Sequence, residues 1–237
     1  MASRFGPGGV GGGGGAGGGG AQAATMFETI VLVDRMPDAA ELNRRLKEAI
    51  LARRETDKGL EISNIGGWHS DTQMLSWGGA AAETLLARIL AAADKYSIDI
   101  KAAPGTPRFR WFPEMWANVS GPGASNQYHR HPGAFWSGVY YVDDGYGGST
   151  DPSLGGELVL EDPRMPMVQM TAPDIRFRRQ GGKPDHFESR MRPESGRLVM
   201  FPAWLNHAVR PYRGTGLRIS IAFNLSAVPL QAAPRLG

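Results

Sequence analysis

Apolar residues along the chain follow two different periods, and the change between them divides it. Leu42, Leu46 and Ile50 recur at i, i+4 and i+8, the one-sided stripe of an amphipathic helix, and Asp38 is placed to cap it. A second stripe of Leu85, Leu86, Ile89, Leu90 and Ala93 predicts a helix from about Ala81 to Tyr96. Ahead of both, Phe27-Glu-Thr-Ile-Val-Leu-Val33 reads as a strand, so ordered structure is expected from near Met26. Between the helices, Gly66-Gly-Trp-His-Ser70 reads as a loop.

From Lys101 onward the apolar period shortens. Short β-rich runs, Arg108–Ser120, Trp136–Val142, Glu157–Glu161, Arg197–Phe201, Asn206–Arg210 and Leu217–Leu225, are separated by Gly, Pro and Asp. Repeated short strands with turn signals between them predict a sandwich or barrel. The stretch Met165–Pro193 is polar and rich in Pro, Arg and Gly, which predicts a long loop at the barrel mouth. No internal repeat is visible. The expected organisation is a disordered Gly-rich tail (1–25), a bracing strand and helices (26–100), a β core (101–228) and a C-terminal tail (229–237). The first tail is assigned on composition, because unbroken glycine runs cannot recover their ordering entropy.

Composition narrows the chemistry. A chain of 237 residues can bury a substantial core, and 41% hydrophobic with 21% charged residues is ordinary for a globular protein. There is no cysteine, which excludes disulfides, thiolate zinc, iron–sulfur clusters and a cysteine nucleophile. A metal would have to be held by His, Asp or Glu, a set suited to iron, zinc, manganese or copper. The net charge is only +3, and the one dense basic run, Arg176, Arg178, Arg179 and Lys183, reads as a solvated loop rather than a nucleic-acid groove. No apolar stretch approaches a membrane span. The N-terminus has Arg4 but then runs into glycine from Gly6, with no apolar core of a signal peptide. A cytoplasmic protein is expected.

Five histidines are the candidates for metal chemistry: His69, His129, His131, His186 and His207. On an extended chain, residues i and i+2 share a face, so His129 and His131 can reach one ion. The bland reading of such a pair is two solvated imidazoles. His207 follows the strand Arg197–Phe201, and beyond it Pro211–Gly216 reads as a turn into the strand Leu217–Asn224. Pairing around that turn would set His207 opposite or nearly opposite Arg218. Alternation puts Arg218, Ser220, Ala222 and Asn224 on one face and Ile219, Ile221 and Phe223 on the other. An Arg and a Ser beside a histidine can hold a carboxylate through charge-assisted hydrogen bonds. The alternative is an edge strand whose polar face meets water.

Four stretches carry a resemblance: Ser63–Ser70, His129–Val142, Gly155–Arg164 and Pro193–Asn224. Through them the chain resembles the iron(II)/2-oxoglutarate dioxygenase superfamily, and within it the bacterial group called putative 2OG-Fe(II) oxygenases. The resemblance covers about residues 26–228. It implies a double-stranded β-helix (jelly roll), mainly β, with N-terminal helices packed on it. Superfamily members carry His-x-Asp/Glu, a distal His, and an Arg-x-Ser further on. By resemblance, His129 and His207 match the iron ligands, and Arg218 with Ser220 matches the clamp on the 2-oxoglutarate carboxylate. Tyr141 resembles a tyrosine that hydrogen-bonds the same co-substrate, and Asn118 and Asn224 are expected to line the pocket.

One departure stands out. His131 occupies the place of the superfamily's carboxylate ligand. In one frame His129, His131 and His207 form a neutral three-histidine face. In another, His131 is the first ligand and Gly133 leaves the third place to water. The first frame is favoured here, and since Arg218 and Ser220 are both present, 2-oxoglutarate is still expected to bind.

The remaining candidates read more plainly. His69 is expected to hydrogen-bond its surroundings, or else to line the substrate opening, and Trp68 is expected to pack on the core. His186 should be solvated. Trp116, Trp136 and Trp204 should pack the core or rim, with walling of a substrate pocket as the alternative. Asp143, Asp144 and Asp151 read as turn residues. The resemblance implies an Fe(II)- and 2-oxoglutarate-dependent hydroxylase; its substrate, a small molecule or peptide, is left unidentified, a homodimer is allowed, and the hydropathy predicts no membrane partner. Hydroxylation is the default because His131 would fill the position that a halide needs. The rivals are a three-histidine dioxygenase that ignores 2-oxoglutarate and a non-catalytic jelly-roll binding module.

Overall fold

A computed structural model describes residues 27–103, 105–165, 170–172, 174–178 and 181–230; both expected tails lie almost wholly outside these. Nine strands make one curled antiparallel sheet in the order β1-β7-β4-β9-β3-β8-β5-β6, with β2 on the flank of β3. They are β1 (Leu32–Arg35), β2 (Asn64–His69), β3 (Phe109–His129), β4 (Trp136–Asp143), β5 (Leu158–Glu161), β6 (Glu188–Met191), β7 (Arg197–Pro202), β8 (His207–Val209) and β9 (Arg218–Pro229). The helices are α1 (Ala39–Thr56), α2 (Met74–Trp77) and α3 (Gly79–Lys95). The fold is mainly β, as expected.

β3 explains how one sheet makes two layers. Its first part pairs with β9, Phe109 opposite Pro229 through Ser120 opposite Arg218. Its last part pairs with β8, His129 opposite His207. In between, Gly67 of β2 faces Ser120 while Ile65 faces Ser125. The extra residues, Gly121-Pro-Gly-Ala124, form a large bulge that re-aims the strand, and Gly123 takes φ 87° there, a backbone state that glycine adopts without strain. Strands β1, β7, β4 and β9 with the start of β3 form one layer; its end with β8, β5 and β6 forms the other.

Strand parity decides what each layer buries. On β9, Ile219, Ile221, Phe223 and Leu225 join Tyr140, Leu198 and Met200 in a core shared with Leu46, Ile50, Leu85 and Ile89 of the helices. Those four helical side chains are fully buried, worth about 1.5–3 kcal/mol each by transfer. The opposite face looks into the barrel, where Tyr141, Val199 and Phe201 of the first layer meet Leu158 and Leu160 of the second.

Several expectations shift in detail. Asp38 precedes α1 but has a left-handed backbone (φ 50°) and makes no side-chain cap. The loop expected at Gly66–Ser70 is mostly β2, hidden from pattern reading by its two glycines. Part of the long loop Met165–Pro193 is β6, paired with β5. The hairpin expected between His207 and Arg218 does not form: β8 pairs with β3 and β5, β9 with β3 and β4, and β3 lies between them. Pro211–Gly216 is instead a crossing between layers, tied by Tyr212 N to Ala124 O (2.9 Å) and Arg213 N to Leu154 O (2.7 Å).

Candidate metal and co-substrate site

The crossing brings the histidines together. His129 ends β3, His131 follows two residues on, and His207 opens β8. Their nearest ring nitrogens all lie within 4.8 Å of one another, so the residues singled out in the sequence do form one cluster. His131 Nε2 and His207 Nε2 stand 3.3 Å apart. Two of the rings are held in the same way. His129 Nδ1 donates to Gln127 O at 2.7 Å, and His207 Nδ1 donates to Leu205 O at 2.9 Å, each two residues back. A proton fixed on Nδ1 leaves the Nε2 lone pair free for a metal.

The surroundings keep these rings neutral. Burial, then the nearby His129, lowers His207 from its ordinary value to about 3. Burial, again followed by His129, lowers His131 to about 4. Burial lowers His129 as well. Phe201 meets His207 edge-on at 4.7 Å between ring centroids. Trp116 lies 5.9 Å from His131 and stacks at 5.6 Å on His69. His69 is buried, with Nδ1 donating to Ser70 O at 2.6 Å, so the hydrogen-bonded reading holds for it, though on a strand rather than a loop. Burial lowers its basicity also.

Beside the imidazoles, a cavity is lined by Asn118, Tyr141, Leu158, Phe201, Arg218 and Ser220, among others. Ser220 faces Asn118 on one side and Tyr141 on the other. Arg218 is 2% exposed, and its guanidinium carbon is 5.3 Å from the Tyr141 ring centroid. Its Nε and the Tyr141 hydroxyl are buried without a hydrogen-bond partner. Burial raises Tyr141 above its ordinary value, opposed by the Arg218 charge. A buried cation without a counter-ion is costly, and among the described residues no carboxylate pairs with Arg218. The donors left over suit an anionic ligand with carboxylate oxygens. Three neutral imidazoles suit a divalent first-row metal.

Asn224, on the same strand face, reaches His131, with Nδ2 at 3.3 Å from Nδ1. Asn126, Ser137 and Val139, absent from the sequence candidates, also line the cavity; Ser137 and Val139 share parity with Tyr141, a signal present in the sequence. Trp116 turns out to be a wall of this cavity, whereas Trp136 sits in the helix-side core, its Nε1 donating to Ser97 Oγ at 2.8 Å. Trp204 is exposed. The aspartates serve turns: Asp143 accepts from Gly145 N, Asp144 from Tyr146 N and Asp151 from Ser153 N. His186 is exposed, as expected.

Residues 114–224, which hold the whole cluster and the cavity, match the family described as "Putative 2OG-Fe(II) oxygenase". Through this segment the chain is similar to the 2OG-Fe(II) oxygenases, whose name states iron(II) and 2-oxoglutarate as their cofactors. Solved structures share the fold. A prolyl-4-hydroxylase from Pseudomonas putida is 18% identical with TM-score 0.54, covering 84% of this chain and 92% of that one. A prolyl hydroxylase from Trichoplax adhaerens, in complex with a hypoxia inducible factor peptide fragment, is 11% identical with TM-score 0.55, covering 83% of each chain. HygX from Streptomyces hygroscopicus, with nickel and 2-oxoglutarate bound, is 13% identical with TM-score 0.53, covering 84% and 83%. No curated protein sequence matches. Among the described residues, no helix is long and apolar enough to cross a membrane.

Proposed function

We propose that the chain hydroxylates a C–H bond of a small molecule or peptide, with His129, His131 and His207 holding iron(II) and Arg218, Ser220 and Tyr141 holding 2-oxoglutarate. The observation that carries this reading is Arg218, a buried guanidinium with no carboxylate partner among the described residues, in the cavity that the three imidazoles border. An incoming carboxylate would pair with it and with the free Tyr141 hydroxyl, and Ser220 would add a hydroxyl donor.

Iron(II) with 2-oxoglutarate supplies the oxidising power: dioxygen is reduced, 2-oxoglutarate becomes succinate and CO2, and one oxygen atom goes to the substrate. The chain supplies position. Gln127 O and Leu205 O hold two imidazoles with the Nε2 lone pair free to ligate, and burial keeps all three rings neutral. Leu158, Phe201 and Trp116 exclude water on the protein side, so the Arg218–carboxylate attraction acts in a low dielectric. A peptide substrate draws support from the prolyl hydroxylase relatives. The core is taken as residues 101–228, braced by 26–100, and the protein as cytoplasmic.

A second reading rests on the same cluster: three imidazoles with no carboxylate among them also suit a dioxygenase that ignores 2-oxoglutarate. Anaerobic titration with iron(II) and then 2-oxoglutarate separates the two through the weak visible charge-transfer band of the chelate. The band should form in the parent and weaken in His207→Ala and Arg218→Ala. Iron binding without a band would favour the second reading, and no iron binding would leave only a jelly-roll binding module.

A further inference from the structure

Two of the three imidazoles take their tautomer from the main chain, and the third does not. His129 and His207 each donate Nδ1–H to the carbonyl two residues back. His131 Nδ1 faces no carbonyl; it faces the side-chain amide of Asn224 at 3.3 Å. Its other nitrogen, Nε2, is 3.3 Å from His207 Nε2. Because His207 already carries its proton on Nδ1, its Nε2 can only accept. The hydrogen bond between the two rings therefore needs the proton of His131 on Nε2, and His131 Nδ1 then accepts from the Asn224 amide NH2. In the same arrangement Asn224 Oδ1 is buried with no partner.

That arrangement cannot ligate a metal through His131 Nε2, since the proton occupies the lone pair. Ligation requires the other tautomer, with Nδ1–H needing an acceptor where the amide NH2 now stands. An asparagine amide offers NH2 and carbonyl oxygen at nearly equivalent positions, exchanged by a half-turn about its last side-chain bond. We infer that Asn224 is a positioning residue that sets the tautomer of His131. It presents NH2 to Nδ1 in the metal-free protein and its carbonyl oxygen when a divalent cation sits among the imidazoles. The proton stays on the same ring and moves from Nε2 to Nδ1 by exchange with water, so charge is conserved. This rests on the proposed assignment of His129, His131 and His207 as the metal ligands, and gives Asn224 a task other than lining the cavity.

The test is zinc binding by the full chain, measured by competition with a chromophoric chelator, for the parent, Asn224→Leu, Asn224→Asp, His131→Ala and the pair His131→Ala/Asn224→Leu. Asn224→Leu removes the acceptor and should weaken zinc by about 10–100-fold, the usual loss when such a partner is removed. Asn224→Asp keeps an acceptor and should match or exceed the parent. With His131 already gone, Asn224→Leu should cost nothing further. Parent-like affinity in Asn224→Leu overturns the inference, and so does Asn224→Asp binding as weakly as Asn224→Leu. If Asn224→Leu fails to fold, nitrogen-15 ring shifts of the parent decide alone: the His131 proton should be on Nε2 without zinc and on Nδ1 with it. A proton on Nδ1 in both states refutes the switch. A parent that binds no zinc removes the three-histidine site itself, an outcome distinct from either.

Discussion

His129 and His207 are register partners across the β3–β8 ladder, and their ring centroids stand 4.2 Å apart. They come from chain segments that meet only because the ladder forms. A cation held by both therefore also fastens β8 to β3, and a ligand that binds the folded state alone stabilises it by mass action.

Metal should thus protect the fold. At a free zinc or iron(II) concentration 100 times its dissociation constant, unfolding should cost about 2.7 kcal/mol more than in the metal-free protein. His207→Ala should abolish that gain while leaving cooperative unfolding. Chemical denaturation with and without metal checks both; a metal-independent midpoint in the parent would contradict the placement of the site.

Arg218 should divide binding from stability. Charge-assisted hydrogen bonds contribute about 1.5–3 kcal/mol, so Arg218→Met should weaken 2-oxoglutarate binding by about 10–150-fold while metal affinity is kept. The same change removes a buried charge without a partner and should raise the unfolding midpoint of the ligand-free protein. Calorimetric titration and thermal unfolding measure the two effects, and a lowered midpoint would mean that Arg218 has a structural partner.

The imidazoles should make the metal-free protein sensitive to mild acid. His207 at about 3 and His131 at about 4 lie below the ordinary value of 6.5, so the unfolded chain binds protons that the folded one refuses. Stability is then complete above about pH 6.5 and declines as pH falls toward 4 and 3. Urea midpoints compared between parent and the His131→Ala/His207→Ala variant isolate this effect from the carboxylates. The parent should lose more stability between pH 6.5 and 4.5.

Gly138 should tolerate no side chain. A Cβ there would stand 2.3 Å from Phe223 Cζ and 2.5 Å from Val199 O, because the Phe223 ring lies over its register partner Gly138 in the middle of the sheet. The carbonyl belongs to the neighbouring strand and cannot yield cheaply. Gly138→Ala should cost about 1–3 kcal/mol by overpacking, read from equilibrium denaturation.

Much of this was legible in the residues. Parity on β9 separated Arg218 and Ser220 from Ile219 and Ile221, because side-chain alternation is local and needs no knowledge of partners. The histidine cluster followed from residue type and resemblance. Strand order was not legible. Pro211–Gly216 has the composition of a tight turn, yet its backbone bonds run to Ala124 and Leu154, groups distant in sequence. β2 was missed because Gly66 and Gly67 carry no apolar signal. For Asn224 the sequence predicts only a place in the pocket wall, since nothing in it says that the amide meets His131.

The last strand along the described chain, β9, lies between β4 and β3, so it must enter a gap that earlier strands leave for it. Until it does, the inner edges of β3 and β4 have unpaired backbone groups, and such edges invite pairing with other chains. Contacts between β3 and β9 also join residues 98 to 120 positions apart, the kind of non-local closure that slows folding. A growing chain can pack α1 against α3 early, whereas the oxygenase centre can be assembled only after the last strand has arrived. Holding newly made chains apart until that moment falls to the cell.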